Sequence, residues 1–301
     1  MKVDVVCAGP VYLDLTFEGL EELPEPGRER FATALHETPG GAGITAIGLA
    51  RLGLRVAVAA PGLGRDLAGQ TLRRLLEAEG VVCAGSETER TPVTVVLPLD
   101  GERAMLTYEP SAQVGPGELA HLRPRAVIIG IDQLRLVPDG ALAYVVVGDR
   151  AAERYALALP DEVRGARALF ANRAEGERLT GRSGPEAAAL ALAEHVAVAV
   201  VSCGADGVVA AADGDLVEAP APQVEVCDTT GAGDLLAAAY VWGDLGGLPL
   251  AERLRRAVVY AALSVRTATG AASAATLDEL ERAVAELDPA IVQTASAKEH
   301  A

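Results

Sequence analysis

The sequence predicts an α/β fold of three layers, in which helices cover both faces of a doubly wound, mostly parallel sheet and a small β-sheet lid projects from it. Short β-branched runs such as VDVVCA and RVAVAA alternate with helix-length segments such as LAGQTLRRLLEAEG. Apolar strands separated by amphipathic helices are typical of a parallel sheet that is buried on both faces. The chain of 301 residues is 50% hydrophobic, which is enough for a large core.

Two stretches break this alternation and predict the lid. RERFATALHE and TPVTVVLPLDGERAMLTYEP alternate polar and apolar residues as exposed hairpin strands do, and the second is expected to turn at Asp100 and Gly101. We predict lid strands at about 11–18, 30–37 and 91–108, inserted into a single domain that spans residues 1–301. A sheet over the C-terminal ends of parallel strands would exclude water from a site beneath it.

The formal net charge of −16 argues against a nucleic-acid partner. Phosphate backbones would be repelled, and no run of Lys or Arg exceeds two residues. An acidic protein that binds an anionic ligand must gather positive potential locally, from helix N-termini, backbone amides or a metal ion. Any anion site in this chain is therefore expected to combine these sources of positive potential.

The compartment is expected to be the cytoplasm, without a membrane partner. The apolar run near the N-terminus is interrupted by Asp4, and no apolar stretch reaches the ~20 residues of a membrane span. Cys7, Cys83, Cys203 and Cys227 form no C-x-x-C pair and no metal-ligand spacing. We expect all four to be reduced, buried thiols.

The most informative motif is DTTGAGD at residues 228–234, which runs directly into the apolar segment LLAAAYVWG. Two glycines and an alanine at a helix start leave several backbone N–H groups free to hold a phosphoryl group. Asp234 would lie in the first turn, where the helix dipole keeps its carboxylate ionised. Such a carboxylate can take the proton from an attacking hydroxyl. The spacing alone leaves open a plain helix start capped by Asp228 or Thr229.

The string DTTGAGD resembles the signature of the ribokinase-like (PfkB) carbohydrate kinases. The resemblance extends over nearly the whole chain, through PGGAGITAIGLARLG, GLGRDLAG, NRAEGERLTG and VVSCGADGVV in the family's order. It implies a ribokinase-like fold and an ATP-dependent kinase that transfers the γ-phosphoryl group to a hydroxymethyl group of a sugar or sugar derivative. It also implies that Gly231, Ala232 and Gly233 form an anion hole and that Asp234 is the catalytic base.

Residues that bind nucleotide and Mg2+ are expected after two later strands. Asn172 and Glu175 stand three apart at a helix start, which the spacing alone also explains as a capping arrangement. The resemblance implies that they organise phosphate and Mg2+, with Glu175 acting through water. The small residues after the next strand let a nucleotide approach the backbone, although a plain β-turn would look the same. The expected nucleotide contacts are Asn172, Glu175, Ser202, Gly204, Ala205, Gly207, Thr229, Val258 and Ala262.

The acceptor is expected at the end of the first strand and under the lid. Asp14 can accept hydrogen bonds from two neighbouring hydroxyls, and paired glycines let a sugar lie against the main chain. An exposed loop aspartate is the alternative for Asp14, and Arg103 and Tyr108 are equally ordinary on exposed strands. The expected acceptor contacts are Asp14, Gly40, Gly41, Thr45, Arg103 and Tyr108.

One departure from the family signature puts the acceptor's identity in question. PGGAGITAIGLARLG is one residue shorter than the family's pattern, and aligned back from its end it places Ile44 where the substrate-binding Asn normally stands. Thr45 can partly replace that Asn. The more apolar residue leaves open a nucleoside acceptor, and a noncatalytic ligand-binding protein on the same fold is the rival from another class. Retention of Asp234 favours an enzyme.

The resemblance further implies K+ near Asp228 and Thr230, and a homodimer formed through the lid.

The sequence lacks the motifs of two other classes of nucleotide-binding protein. A P-loop kinase is excluded, because Lys occurs only at positions 2 and 298. A nicotinamide-dependent dehydrogenase is disfavoured, because the sequence AGPV stands where G-x-G-x-x-G would be needed.

Overall fold

A ten-stranded sheet forms the centre of the molecule. The computed structural model describes residues 2–60, 63–99, 102–109, 115, 117–267, 270–287 and 293–296. The strands of this sheet are β1 (Val5–Ala8), β4 (Val56–Ala59), β5 (Val82–Ala84), β8 (Ala126–Gly130), β9 (Leu142–Val146), β10 (Ala168–Asn172), β11 (Ala199–Ser202), β12 (Val208–Ala212), β13 (Asp215–Ala219) and β14 (Gln293–Ser296). Their order is β14-β13-β12-β11-β10-β9-β8-β1-β4-β5. From β11 to β5 all neighbours are parallel, whereas β12, β13 and β14 are added antiparallel at one edge.

Helices cover both faces of this sheet, so the predicted three-layer α/β class is confirmed. They are α1 (Ala42–Arg51), α2 (Leu67–Ala78), α3 (Asp149–Arg154), α4 (Arg173–Thr180), α5 (Pro185–Ala193), α6 (Ala232–Leu245), α7 (Leu250–Ser264) and α8 (Leu277–Leu287). One apolar core lies between the sheet and α1, α2, α6, α7 and α8, and a second lies between the sheet and α3 to α5. The step from β8 to β9 holds only a short 3-10 helix, Ile131–Leu136.

A separate four-stranded sheet forms the predicted lid. Its strands are β2 (Val11–Glu18), β3 (Ala34–Gly41), β6 (Val93–Leu99) and β7 (Glu102–Tyr108), in the order β3-β2-β6-β7. The second strand begins four residues later than the predicted 30–37, because its pairing with β2 runs from Glu18 opposite Ala34 to Val11 opposite Gly41. As an edge strand, β3 tolerates Pro39. The predicted turn at Asp100 and Gly101 lies outside the described residues.

Asp66, the acid of the motif GLGRDLAG, anchors the lid to the body. Its Oδ1 accepts a hydrogen bond from the amide of Gly69 at 3.0 Å, which caps the start of α2. The same carboxylate accepts bonds from the hydroxyl of Thr91 at 2.6 Å and from its amide at 3.1 Å. Because Thr91 stands just before β6, this motif fixes where a lid strand leaves the body.

The far end of α6 is fixed by a polar cluster that the sequence analysis does not predict. Asp244 accepts two hydrogen bonds from Arg167, both at 2.7 Å, and one from the hydroxyl of Tyr144 at 2.5 Å. Arg253 lies 2.8 Å from the other side of the same carboxylate. Since Tyr144 lies in β9, the C-terminus of α6 is tied to the centre of the sheet, which holds the helix that carries Asp234 at its other end.

All four cysteines are free thiols, but the expectation that all are buried is wrong. Cys7 is buried and Cys83 and Cys203 are half-buried, whereas Cys227 is exposed because it lies in the loop that leads to α6. Among the helices of the described residues, none is long and apolar enough to cross a membrane.

Candidate active site

The loop before α6 forms a cradle of backbone amides. Asp228 Oδ1 accepts hydrogen bonds from the amide of Thr230 at 2.8 Å and from its hydroxyl at 2.6 Å, which fixes the loop that enters the helix. Gly231 has a φ of 79°, and a Cβ there would lie 3.0 Å from Ile44. Only glycine suits this position. The first N–H groups of a helix lack an intrahelical partner; that of Ala232 donates to the carbonyl of Thr229 at 3.3 Å, and nothing lies within 4 Å of a Cβ placed on Gly233. The turn can therefore hold an anion.

Asp234 is half-buried in the first turn of α6, directly after this cradle. Its Oδ1 accepts a hydrogen bond from the hydroxyl of Thr45 at 3.2 Å. Burial raises the pKa of Asp234 to about 6, and the bond from Thr45 partly opposes that rise. Near neutral pH the carboxylate is ionised and can accept a proton.

Asp14 lies in β2, close enough to Asp234 for the two carboxylates to repel each other. Burial raises the pKa of Asp14 to about 7, a hydrogen bond with Thr94 opposes the rise, and the charge of Asp234 adds to it. The carboxylate leans over Gly40 of the neighbouring strand, where a Cβ would lie 2.2 Å from Asp14 Oδ2. Glycine is therefore required at position 40. Gly40 and Asp14, both predicted from the sequence, are in direct contact.

Ile44 and Thr45 both face the start of α6. Ile44 is 3% exposed, and its side chain lies against Gly231. Thr45 is also 3% exposed and is bonded to Asp234. Ile44, which stands where the family signature has Asn, therefore packs against the amide cradle. The hydroxyl of Thr45, the next residue, contacts the predicted base Asp234.

The lid register corrects the expectation for Tyr108. Asp14 stands opposite Thr94, and Thr94 stands opposite Thr107, so these three residues share one face of the lid. Tyr108 follows Thr107, lies on the other face and is 54% exposed. Its side chain therefore points away from the lid face that carries Asp14. Arg103 pairs with Pro98 along the backbone, but its side chain lies outside the described residues.

A cluster that the sequence analysis missed joins the lid to the body near Asp14. Glu109, just after β7, accepts a hydrogen bond from the hydroxyl of Tyr12 at 3.0 Å and another from Arg150 at 3.1 Å. Tyr12 lies in the lid strand β2, whereas Arg150 lies in α3 of the body. The three residues are far apart in the chain and belong to no motif, so only the structure reveals the cluster.

Asn172 and Glu175 form a capping box at the start of α4. The side chain of Asn172 accepts from the amide of Glu175 at 2.9 Å, and Glu175 Oε2 accepts from the amide of Asn172 at 2.8 Å. The capping arrangement that the spacing left open is thus present. Both residues also line a cavity of about 190 Å³ together with Gly233 and Asp234, where burial raises the pKa of Glu175.

This donor set suits a Mg2+ ion that arrives with a phosphate and keeps its own waters. Glu175 offers a buried carboxylate beside the amide cradle, and hard cations prefer oxygen ligands. In the part of the chain that the structure describes, no three His, Cys, Asp or Glu side chains are grouped to hold a metal by themselves. The protein would therefore contact the ion only in part.

A larger cavity of about 500 Å³ adjoins the first and has the dimensions of a nucleotide site. The two cavities share Asn172, Ser202, Gly233 and Leu236 in their walls, so they are neighbours, and Asp234 lines the smaller one. The predicted nucleotide contacts that line the larger cavity are Asn172, Ser202, Gly204, Ala205, Gly207, Thr229, Val258 and Ala262. The sequence analysis missed the irregular segment at residues 221–226, of which five residues complete the wall, because it carries no recognisable motif.

Comparison with known proteins agrees with this geometry. Residues 4–123 and 141–277 match the family described as pfkB family carbohydrate kinase. Since these stretches make up well over half of the sequence, the chain belongs to the PfkB family of carbohydrate kinases. The resemblance inferred from DTTGAGD and the other motifs is confirmed.

Two relatives with assigned names match most of this chain. The bifunctional protein HldE of Trichlorobacter lovleyi is 30% identical over 256 residues, which are 75% of this chain and 51% of that protein. A 1-phosphofructokinase of Haloferax volcanii is 29% identical over 260 residues, which are 77% of this chain and 81% of that enzyme. The chain therefore spans about half the length of the bifunctional relative.

Solved structures share the whole fold. The ribokinase of Arabidopsis thaliana, solved in complex with ribose and ATP, has a TM-score of 0.76 to this chain. The alignment has 23% sequence identity and covers 94% of this chain and 99% of the ribokinase. At that identity the likeness shows a common ribokinase-like fold.

Proposed function

We propose that this protein is an ATP-dependent kinase that transfers the γ-phosphoryl group to a hydroxymethyl group of a sugar or sugar derivative. The single observation that carries the proposal is the pair of adjoining cavities, of which the nucleotide-sized one borders the amide cradle and the other is lined by Asp234. The carboxylate of Asp14 is close enough to Asp234 for their charges to interact, so one bound hydroxyl compound could meet both acids. Residues 1–301 act as one kinase domain, located in the cytoplasm where ATP is available.

Each part of the site has a separate task in the transfer. Asp14 accepts hydrogen bonds from hydroxyls of the acceptor, and the main chain at Gly40 and Gly41 lies alongside it. Asp234 takes the proton of the attacking hydroxymethyl group. The backbone amides of residues 231–233 stabilise the negative charge of the phosphoryl group in the transition state. Holding the acceptor hydroxyl and the γ-phosphoryl group in line accounts for most of the remaining rate enhancement.

Mg2+ bound with the nucleotide would offset the charge of the phosphates. Glu175 would hold the waters of the ion, and Asn172 lies beside it in the same cavity. A K+ ion near Asp228 and Thr230 would order the loop before the cradle, in which Asp228 Oδ1 is already bonded to Thr230. The resemblance to the family supports K+ here, and the oxygen-bearing side chains are compatible with it.

A sugar is favoured over a nucleoside as the acceptor. The apolar side chain of Ile44 suggested a pocket for a base, but it is buried against Gly231 and offers little surface to an acceptor. The names of a 1-phosphofructokinase relative and of a ribokinase neighbour solved with ribose and ATP also support a sugar. The noncatalytic alternative is disfavoured because Asp234 follows the glycine turn in the first turn of α6 and its carboxylate is held by Thr45, as a general base would require.

The test is an ATP-consumption assay of the purified protein with Mg2+ and K+ against pentoses, hexoses, sugar acids, sugar phosphates and nucleosides. We expect acceptor-dependent consumption of ATP with at least one sugar, and a phosphomonoester of its hydroxymethyl group by 31P NMR. Turnover with nucleosides alone would replace the sugar by a nucleoside. Binding of ATP without turnover on any acceptor would favour the noncatalytic ligand-binding protein.

A further inference from the structure

Helix α1 approaches α6 unusually closely, and Gly48 is the reason. A Cβ on Gly48 would lie 2.6 Å from Leu235 Cδ2 and 3.2 Å from the Cβ of Ala238, so a larger residue would push the helices apart. Thr45 lies three residues earlier on the same face of α1. The close packing at Gly48 therefore brings the Thr45 hydroxyl within reach of the first turn of α6.

The environment of the Thr45 hydroxyl leaves it few partners. The residue is 3% exposed, and a buried hydroxyl without a hydrogen bond would carry a desolvation cost. Its bond to Asp234 Oδ1, at 3.2 Å, meets this requirement. A threonine in a helix divides mainly between two χ1 rotamers, and the bond to Asp234 selects the one that points its hydroxyl at α6.

We propose that Thr45 is a positioning residue for the general base, and that its hydroxyl holds the Asp234 carboxylate instead of binding the acceptor. The assignment rests on the proposed role of Asp234 in the kinase reaction. It changes the expectation drawn from the shortened signature, which treated Thr45 as a partial replacement for an acceptor-binding Asn.

The charges around Asp234 explain why this single hydrogen bond matters. Cys7 of β1 and Asp14 of β2 both interact with its carboxylate, and Glu175 of α4 lines the same cavity. Two of these groups are acids and the third is a thiol whose pKa is raised by burial, so none stabilises a negative charge on Asp234. The bond from Thr45 lowers the pKa of Asp234 against the effect of burial.

Replacement of the hydroxyl by a methyl group should therefore raise the pKa of Asp234. For Thr45→Val we expect an increase of about one pH unit, the usual scale for losing one hydrogen bond to a carboxylate. Thr45→Ser keeps the donor and should keep the pKa near that of the parent. Thr16→Val is the matched control, because Thr16 is a buried threonine of β2 that makes no hydrogen bond to Asp234.

The pKa is measured by 13C NMR on the ligand-free protein with carboxyl-labelled aspartate, in which the Asp234 resonance is assigned by its loss in Asp234→Asn. This measurement needs no turnover, so it remains informative if the proposed kinase activity fails. Thr45→Ala is titrated alongside, so that misfolding of Thr45→Val does not decide the outcome. An Asp234 pKa in the folded Val or Ala variant equal to that of the parent would overturn the proposal.

The kinetic counterpart uses the acceptor found by the ATP-consumption assay. We expect the acidic limb of kcat for Thr45→Val to move to higher pH by the same amount, with KM for the acceptor within about twofold of the parent. A large increase in acceptor KM with an unmoved acidic limb would assign Thr45 to the acceptor, as the family signature suggests. A merely structural role would lower stability and move neither quantity.

Discussion

At the scale of single residues, Asp234 is held in surroundings that oppose its charge. Burial raises its pKa to about 6, and the pKa of its neighbour Asp14 is raised to about 7. A carboxyl whose folded pKa lies above its unfolded value of 3.8 destabilises the fold once the pH rises above that value. The destabilisation grows with pH until the folded carboxyl is fully ionised. Function and stability are therefore in conflict at this residue.

Asp234→Asn should therefore stabilise the protein at neutral and alkaline pH. We expect the free energy of unfolding to increase by roughly 1–3 kcal/mol at pH 8, with a gain that shrinks toward pH 4, because the neutral amide carries no charge to bury. Urea denaturation of parent and variant at both pH values measures this. An equal difference at pH 4 and pH 8 would mean that ionisation of Asp234 does not oppose folding.

Residues within motifs were predictable, and residues defined only by tertiary contact were not. The motifs around Asp14, Gly40 and Asp234 predicted these residues as parts of the site, and the structure brings the three together. The role of Thr45 could not be read from the sequence, since one residue in a helix changes direction by about 100° and the alignment was uncertain by one position. Glu109 belongs to no motif, so nothing in the sequence marked its contact with Arg150.

At the scale of elements, the lid is joined to the body by an exposed ion pair. Arg150 of α3 is 89% exposed in its side chain and lies 3.1 Å from Glu109 of the lid. Exposed pairs contribute little and are screened by salt. The pair can therefore bias the lid toward closure over the acceptor only modestly.

Arg150→Ala should raise KM for the acceptor by about two- to fivefold at low ionic strength, with the increase disappearing near 1 M salt. Arg154→Ala is the matched control, because Arg154 lies on the same helix but pairs with Asp132 of the body. Steady-state kinetics of both variants at two salt concentrations tests this. Equal effects of the two substitutions on KM would mean that the contact between Arg150 and Glu109 does not help to close the lid.

Predictions of elements succeeded where periodicity was clear and failed where tertiary pairing decided. The alternating pattern predicted lid strands, but the second strand lies at Ala34–Gly41 because pairing with β2, not the pattern, sets its ends. Gln293–Ser296 pair with β13, although nothing in the sequence marks them as a strand. A four-residue strand at an edge leaves no periodic signal of its own.

At the scale of the whole molecule, the parallel α/β class followed from the alternation of apolar strands and amphipathic helices. The antiparallel edge of β12, β13 and β14 did not, because strand direction depends on the length and path of the connections.

The lid face that does not carry Asp14 bears exposed apolar side chains. Leu35, Leu106 and Tyr108 are 53%, 76% and 54% exposed there, and such a surface suits the homodimer through the lid that the family resemblance implies.

Leu106→Lys should shift the protein from dimer to monomer, because it places a charge in the middle of this apolar face. Leu157→Lys is the control, since Leu157 is 73% exposed but lies in the body. Sedimentation velocity of the parent and both variants measures the change. A parent that is monomeric at micromolar concentration would contradict the dimer.

The central claim is that Asp234 is the general base of phosphoryl transfer, and the ratio of turnover numbers of parent and Asp234→Asn at pH 8 tests it most directly. The amide keeps the shape of the side chain and cannot accept the proton, so we expect kcat to fall by about 10² or more while the Kd for ATP changes little. A kcat within a few-fold of the parent would contradict the claim and require another group to take the proton.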